Sequence, residues 1–78
     1  MITLIKDYHM QAQILERRSK KLALEIAAET DVDKLHSLER RKHTIDTERY
    51  EILRDIKDML EHLNEEERER WQESVESA

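Results

Sequence analysis

The chain carries two apolar stripes that mirror each other, and together they leave few folds open. Ile5, Tyr8, Ala12, Leu15, Ser19, Leu22 and Ile26 recur at alternating steps of three and four. Leu35, Leu38, Lys42, Ile45, Arg49, Ile52, Ile56, Met59 and Leu63 follow with the same steps. That spacing keeps one face of a helix apolar and makes the seam of a coiled coil. Folding the chain back near Thr30 sets Ile26 opposite Leu35, Leu22 opposite Leu38, Leu15 opposite Ile45, Tyr8 opposite Ile52 and Ile5 opposite Ile56. The same register puts Lys42 opposite Ser19 and Arg49 opposite Ala12, so long side chains face small ones. The sequence therefore predicts an all-α fold, an antiparallel coiled-coil helical hairpin.

With no Gly and no Pro, the boundaries rest on weaker signals. Helix 1 is expected over residues 2–29 and helix 2 over 32–63, giving a hairpin over 1–63. Thr30, Asp31 or Asp33 can cap helix 2 with a side-chain oxygen. Residues 64–78 form an acidic C-terminal helix or tail. Asn64 before Glu65, Glu66 and Glu67 is a good start for a short third helix, and it is equally compatible with a surface position inside a continuous helix 2.

A chain of 78 residues is one domain at most, and one seam between two helices buries little. The absence of Cys removes disulfides and thiolate metal sites. Support is expected from a second copy, as a dimeric four-helix bundle, or from another protein. The charged fraction of 42% could signal disorder, but the sustained helical period over residues 2–63 argues for structure. No apolar run approaches the ~18 residues of a membrane span. The opening Met-Ile-Thr-Leu-Ile-Lys has neither a basic n-region nor a secretory h-region. A cytoplasmic protein without membrane contact is expected.

Met10, Ile14, Tyr50, Leu53, Leu60, Trp71 and Val75 are apolar positions off the main seam, most of them toward the end that holds the termini. Exposed apolar surface on so small a protein marks an interface. The alternative is that Trp71 and Val75 fold back and cover the patch within one chain.

The formal charge of −5 is unevenly placed: +2 over residues 16–43, −3 over 44–64 and −4 over 65–78. Arg17, Arg18, Lys20, Lys21, Arg40, Arg41 and Lys42 gather in the turn half, where they could neutralise phosphates of RNA or DNA. In layout alone this resembles the Rop-type RNA-binding hairpin, a dimeric four-helix bundle, with no motif in common. Overall acidity and the lack of an aromatic within the cluster weigh toward a solvated face with i,i+4 acidic partners.

His36, Glu39 and His43 share one side of helix 2, while His9 and His62 lie toward the other end. A di-iron bundle needs a Glu-x-x-His on each of two helices, and helix 1 has Lys6 where that Glu would stand before His9. Solvent-facing histidines, no metal and no cofactor are expected. There is no Cys nucleophile, Gly-rich phosphate loop or nucleophile elbow, so no enzymatic activity is expected. The sequence points to a small non-enzymatic protein–protein interaction module, a regulator, adaptor or assembly chaperone, acting as a homodimer. The alternative is a Rop-like nucleic-acid-binding hairpin.

Overall fold

Long stretches of Leu, Ala, Glu, Lys and Arg favour helix throughout the chain, and only the capping residues decide where each helix stops. The computed structural model describes the backbone of residues 2–76 and the side chains of residues 2–73. Those residues form three helices, α1 (Ile2–Ala28), α2 (Val32–Glu61) and α3 (Glu65–Glu76). The molecule measures 53 × 22 × 13 Å, in keeping with a 30-residue α2 that runs about 45 Å at 1.5 Å per residue.

α1 ends one residue earlier than expected. The Glu29 carboxylate turns back and accepts from the Thr30 and Asp31 backbone N–H groups at 3.1 and 3.0 Å, which favours a turn over another helical residue. Asp31 is the N-cap of α2: its carboxylate accepts from Asp33 N at 2.9 Å and Lys34 N at 3.1 Å. Two of the donors that a helix start leaves unpaired are thereby satisfied.

α1 and α2 pack as the predicted hairpin. Every position of the two stripes is buried or half-buried. Ile5, Ala12, Leu15, Leu22, Ile56 and Leu63 form the buried core, with Ile5 fully enclosed. Each large aliphatic side chain withdrawn from water contributes roughly 1.5–3 kcal/mol.

Two polar contacts flank the seam at its cationic positions. Ser19 donates to Asp46 Oδ1 at 2.5 Å, one turn beyond Lys42, and Lys42 reaches the same place by donating to Asp46 Oδ2 at 2.7 Å. Arg49 approaches Glu16 at 4.0 Å, one turn from Ala12. The cause is charge. A cation beside the seam is better placed against a carboxylate than merely given room by a small residue.

α2 stops at Glu61 and does not continue through Leu63. His62 and Leu63 donate their N–H groups to Met59 O at 3.1 Å and Leu60 O at 3.3 Å, tightening the last turn to a three-residue repeat. Leu63 then sits in the connection yet remains buried with Ile5 and Ile56. Asn64 starts the third helix, accepting from Glu67 N at 2.8 Å, and Glu65–Glu67 lie in the first turn, where the helix dipole favours negative charge. Of the two readings left open at Asn64, the separate helix is the one adopted.

α3 reaches the terminal end of the hairpin through side chains. Arg68 donates to Glu61 O at 3.1 Å, and Trp71 packs against the Ile5–Ile56–Leu63 cluster together with Tyr8, Ile52, Met59 and Leu60. The Trp71 ring meets His9 edge-on, with centroids 6.2 Å apart and an interplanar angle of 90°, a favourable aromatic geometry. The hairpin is therefore flanked by α3 at the termini, with Trp71 as the contact, and stands as two helices at the turn.

Candidate interaction surfaces

At about 100° per residue, the apolar positions off the seam divide between opposite flanks of the hairpin. Leu53 comes one residue after the seam position Ile52, which swings it to the side where α3 lies. There Leu53, Ile56, Leu60 and Trp71 line a groove of about 540 Å³ with Lys57, Glu61, Arg68 and Gln72. Tyr50, one turn earlier, stands 67% exposed beside it. Ile14 comes one residue before the seam position Leu15 and swings the other way. It lines a second groove of about 220 Å³ with Gln11, Leu15, Arg18, Glu48 and Ile52. Met10, one turn before Ile14 on α1, is 60% exposed.

The off-seam side chains are thus two groups, where the sequence suggested one patch near the termini. Leu60 and Trp71 are half-buried against the core, so part of the chain does fold back on itself. Met10, Ile14, Tyr50 and Leu53 remain exposed, as do Leu4, Leu24 and Val32. The side chain of Val75 lies outside the described residues.

The basic residues of the turn half are also spread around the hairpin and do not form one face. Lys20 pairs with Glu16 at 3.3 Å, and Lys42 with Asp46. Arg17 and Arg40 are exposed and point away from the seam by the helical period. Arg18, Lys21 and Arg41 do converge, lining a notch of about 360 Å³ floored by Leu22 and Ile45, with Glu25 at its edge. None of these three cations is ion-paired among the described residues.

Where the seam crosses from apolar to polar, Ser19, Lys42 and Asp46 make one bonded set and Glu16 bridges Lys20 and Arg49. The hydrogen bond from Lys42, and then that from Ser19, holds the Asp46 carboxyl below the ordinary Asp range. Arg49 Nε is buried without a partner among the described residues. Asp46 was missed as a seam partner because the three-and-four pattern registers apolar positions and ignores a charge one step off them.

His36, His43 and Glu39 are all exposed. Among the described residues no group of three His, Asp or Glu side chains is arranged to hold a metal ion. His62 Nδ1 lies 2.6 Å from Asp58 O and His9 Nε2 3.4 Å from Gln13 Nε2, both local contacts within or at the end of a helix. No helix among the described residues is long and apolar enough to cross a membrane. Comparison with protein-family models, with curated proteins and with solved structures finds no match to this chain.

Proposed function

We propose that the chain is a small non-enzymatic protein–protein interaction module that self-associates as a helical bundle and presents its remaining surface to another protein. The observation that carries this reading is the exposure of Met10, Ile14, Tyr50 and Leu53, each at least 39% accessible, on a hairpin whose seam is already filled. One seam between two helices has no further interior to give them. A symmetric pair lets one patch serve both copies. The surplus of two flanks over one dimer contact leaves a second surface for a protein partner, with Trp71 and Leu53 as its anchors. Sedimentation equilibrium tests the reading: a dimer is expected at tens of micromolar protein, and a stable monomer of normal helix content at that concentration refutes it.

A second reading draws on the Arg18–Lys21–Arg41 notch. Unpaired cations over an apolar floor can take a phosphodiester backbone, as in a Rop-like RNA- or DNA-binding hairpin. The net charge of −5 and Glu25 in the notch work against it. A gel shift across a salt series separates the two readings, because phosphate contacts weaken steeply with salt.

A further inference from the structure

The Ile14 groove and the cationic notch share Arg18, so they form one continuous edge along the α1–α2 seam. On α1 that edge is itself a three-and-four stripe: Leu4, Asp7, Gln11, Ile14, Arg18 and Lys21. On α2 the facing positions are Arg41, Ile45, Glu48, Ile52 and Asp55, and the first four of these line the two grooves.

The two long edges of the hairpin differ in kind. On the edge where α3 docks, Glu16 pairs with Lys20 and Arg49, and Lys42 pairs with Asp46. On the Ile14 edge Asp7, Arg18, Lys21, Arg41, Glu48 and Asp55 have neither an ion pair nor a side-chain hydrogen bond among the described residues. Charge there is also sorted along the length. Toward the turn Arg18, Lys21 and Arg41 outnumber Glu25, Asp7 and Asp55 lie toward the termini, and Ile14 stands between them. Leu4 and Ile14 are 47% and 40% exposed on this edge.

We propose that a second copy of this chain docks antiparallel on this edge, so that Arg18 and Arg41 of each copy meet Asp7 and Asp55 of the other across a two-fold axis between Gln11 and Ile14. This rests on the self-association reading and supplies its face and direction.

The register follows from the helical rise of about 1.5 Å per residue. An axis between Gln11 and Ile14 carries the level of Arg18 onto that of Asp7, and the level of Arg41 onto that of Asp55. Parallel pairing instead stacks Arg41 near Arg18 and acid on acid, which costs several kcal/mol. The hairpin is 53 Å long and charges are screened over about 8 Å at physiological salt, so each end is decided by its own neighbours. Antiparallel pairing satisfies both ends, and the two Glu48 carboxylates near the axis share their groove with Arg18.

Charge-swap variants test the face. Arg18→Glu with Arg41→Glu, and separately Asp7→Lys with Asp55→Lys, change exposed positions and should keep normal helix content. Each double variant alone should dimerise at least about tenfold more weakly than wild type. An equimolar mixture of the two should recover the association as a heterodimer. Tyr50→Glu, on the other flank, should leave the dimer unchanged.

Direction is read by spin labels at Thr30→Cys, possible because the chain has no other Cys. A label separation close to the 53 Å length is expected. Separations within about 20 Å, the span of adjacent helices plus labels, overturn the antiparallel direction. If the swap variants dimerise as wild type does, the face is wrong while self-association stands. If wild type is monomeric, self-association and this inference fail together. If the notch instead binds RNA at physiological salt with loss on Arg18→Glu, and RNA binding dissolves the dimer, the notch is a nucleic-acid site and the inference fails.

Discussion

Ile5→Ala should undock α3 before it melts the hairpin. Ile5 is fully enclosed and is the one α1 side chain in the buried cluster with Ile56 and Leu63, on which Trp71 rests. The substitution removes three carbons, about 2.4 kcal/mol of transfer at 0.8 per methylene. The cavity left behind brings the cost to about 2–5 kcal/mol. A 78-residue chain holds about 4–12 kcal/mol in total at 0.05–0.15 per residue, so this is a large share of it. At about 4–8 °C per kcal/mol for a domain of this size, Tm should fall by at least about 10 °C. The loss is concentrated on α3, which reaches the rest of the chain through Trp71 and the Arg68 bond to Glu61 O, whereas α1 and α2 share the whole seam. Trp71 is the only tryptophan, so its emission reports α3 docking while circular dichroism at 222 nm reports total helix. In wild type the two signals should change together on denaturation; in Ile5→Ala the emission should shift to the red first. Unchanged Tm with blue-shifted Trp71 emission in the variant would refute the placement of α3.

Asp46 gives an acid-sensitive component of stability. Its folded carboxyl is held below the ordinary Asp range by Lys42 and then Ser19, so its contribution is present above about pH 4 and is lost as pH falls through the lowered value. Asp46→Asn should flatten that limb of a Tm-against-pH curve, and an unaltered acid limb would refute it. Arg49→Met should raise stability by about 1 kcal/mol, because it removes the unpartnered Nε and gives up only a 4.0 Å contact with Glu16 of little worth when exposed. A fall in Tm would show that the Glu16 contact matters more. Asn64→Ala should cost about 1 kcal/mol through the lost cap on Glu67 N,, read as weaker Trp71 docking at unchanged α1–α2 helix content.

The hairpin was legible because its seam is written twice. Apart from Lys42 and Arg49, which face small residues, each stripe position is independently apolar or small, and the two stripes agree in step and register, so errors at single positions do not move the answer. The end of α2 was less legible for the opposite reason. Leu63 continues the stripe, and a period cannot distinguish a buried leucine inside a helix from one buried just after it. The two readings of Asn64 have the same origin: its capping bond depends on whether the chain turns, which tertiary packing of Leu63 and Trp71 decides. The candidate surfaces were legible as residues and not as an arrangement. Met10, Ile14, Tyr50 and Leu53 were identifiable as surplus apolar groups. Their division between two flanks follows from the sign of a one-residue step off the seam, to Leu53 after Ile52 and to Ile14 before Leu15.

Burial along the hairpin is uneven, and this predicts where a second copy would matter most. Ile5, Ile56 and Leu63 are buried at the termini, with α3 adding Trp71. In the turn half Leu22 alone is buried, while Ile26, Leu35, Leu38 and Ile45 are half-buried. The polar set around Asp46 separates these two regions. Local opening is easiest where few apolar contacts hold the backbone, so amides of residues 20–26 and 35–45 should exchange faster than those of residues 5–15 and 52–60 in dilute protein. A second copy laid on the Ile14 edge covers residues 7–22 and 41–55 of each chain, which include the weakly packed stretches 20–22 and 41–45, while residues 26–37 at the turn lie beyond its end. Protection should then rise with protein concentration over the covered spans, most in residues 20–22 and 41–45, and change little in residues 26–37, since opening of a bound segment requires release of the partner. Hydrogen exchange measured at two concentrations on either side of the dimer Kd reads this directly. A rise in residues 26–37 as large as that in residues 41–45 would refute the antiparallel edge as the site of pairing, and a rise confined to residues 50–60 would place the contact on the Leu53 flank.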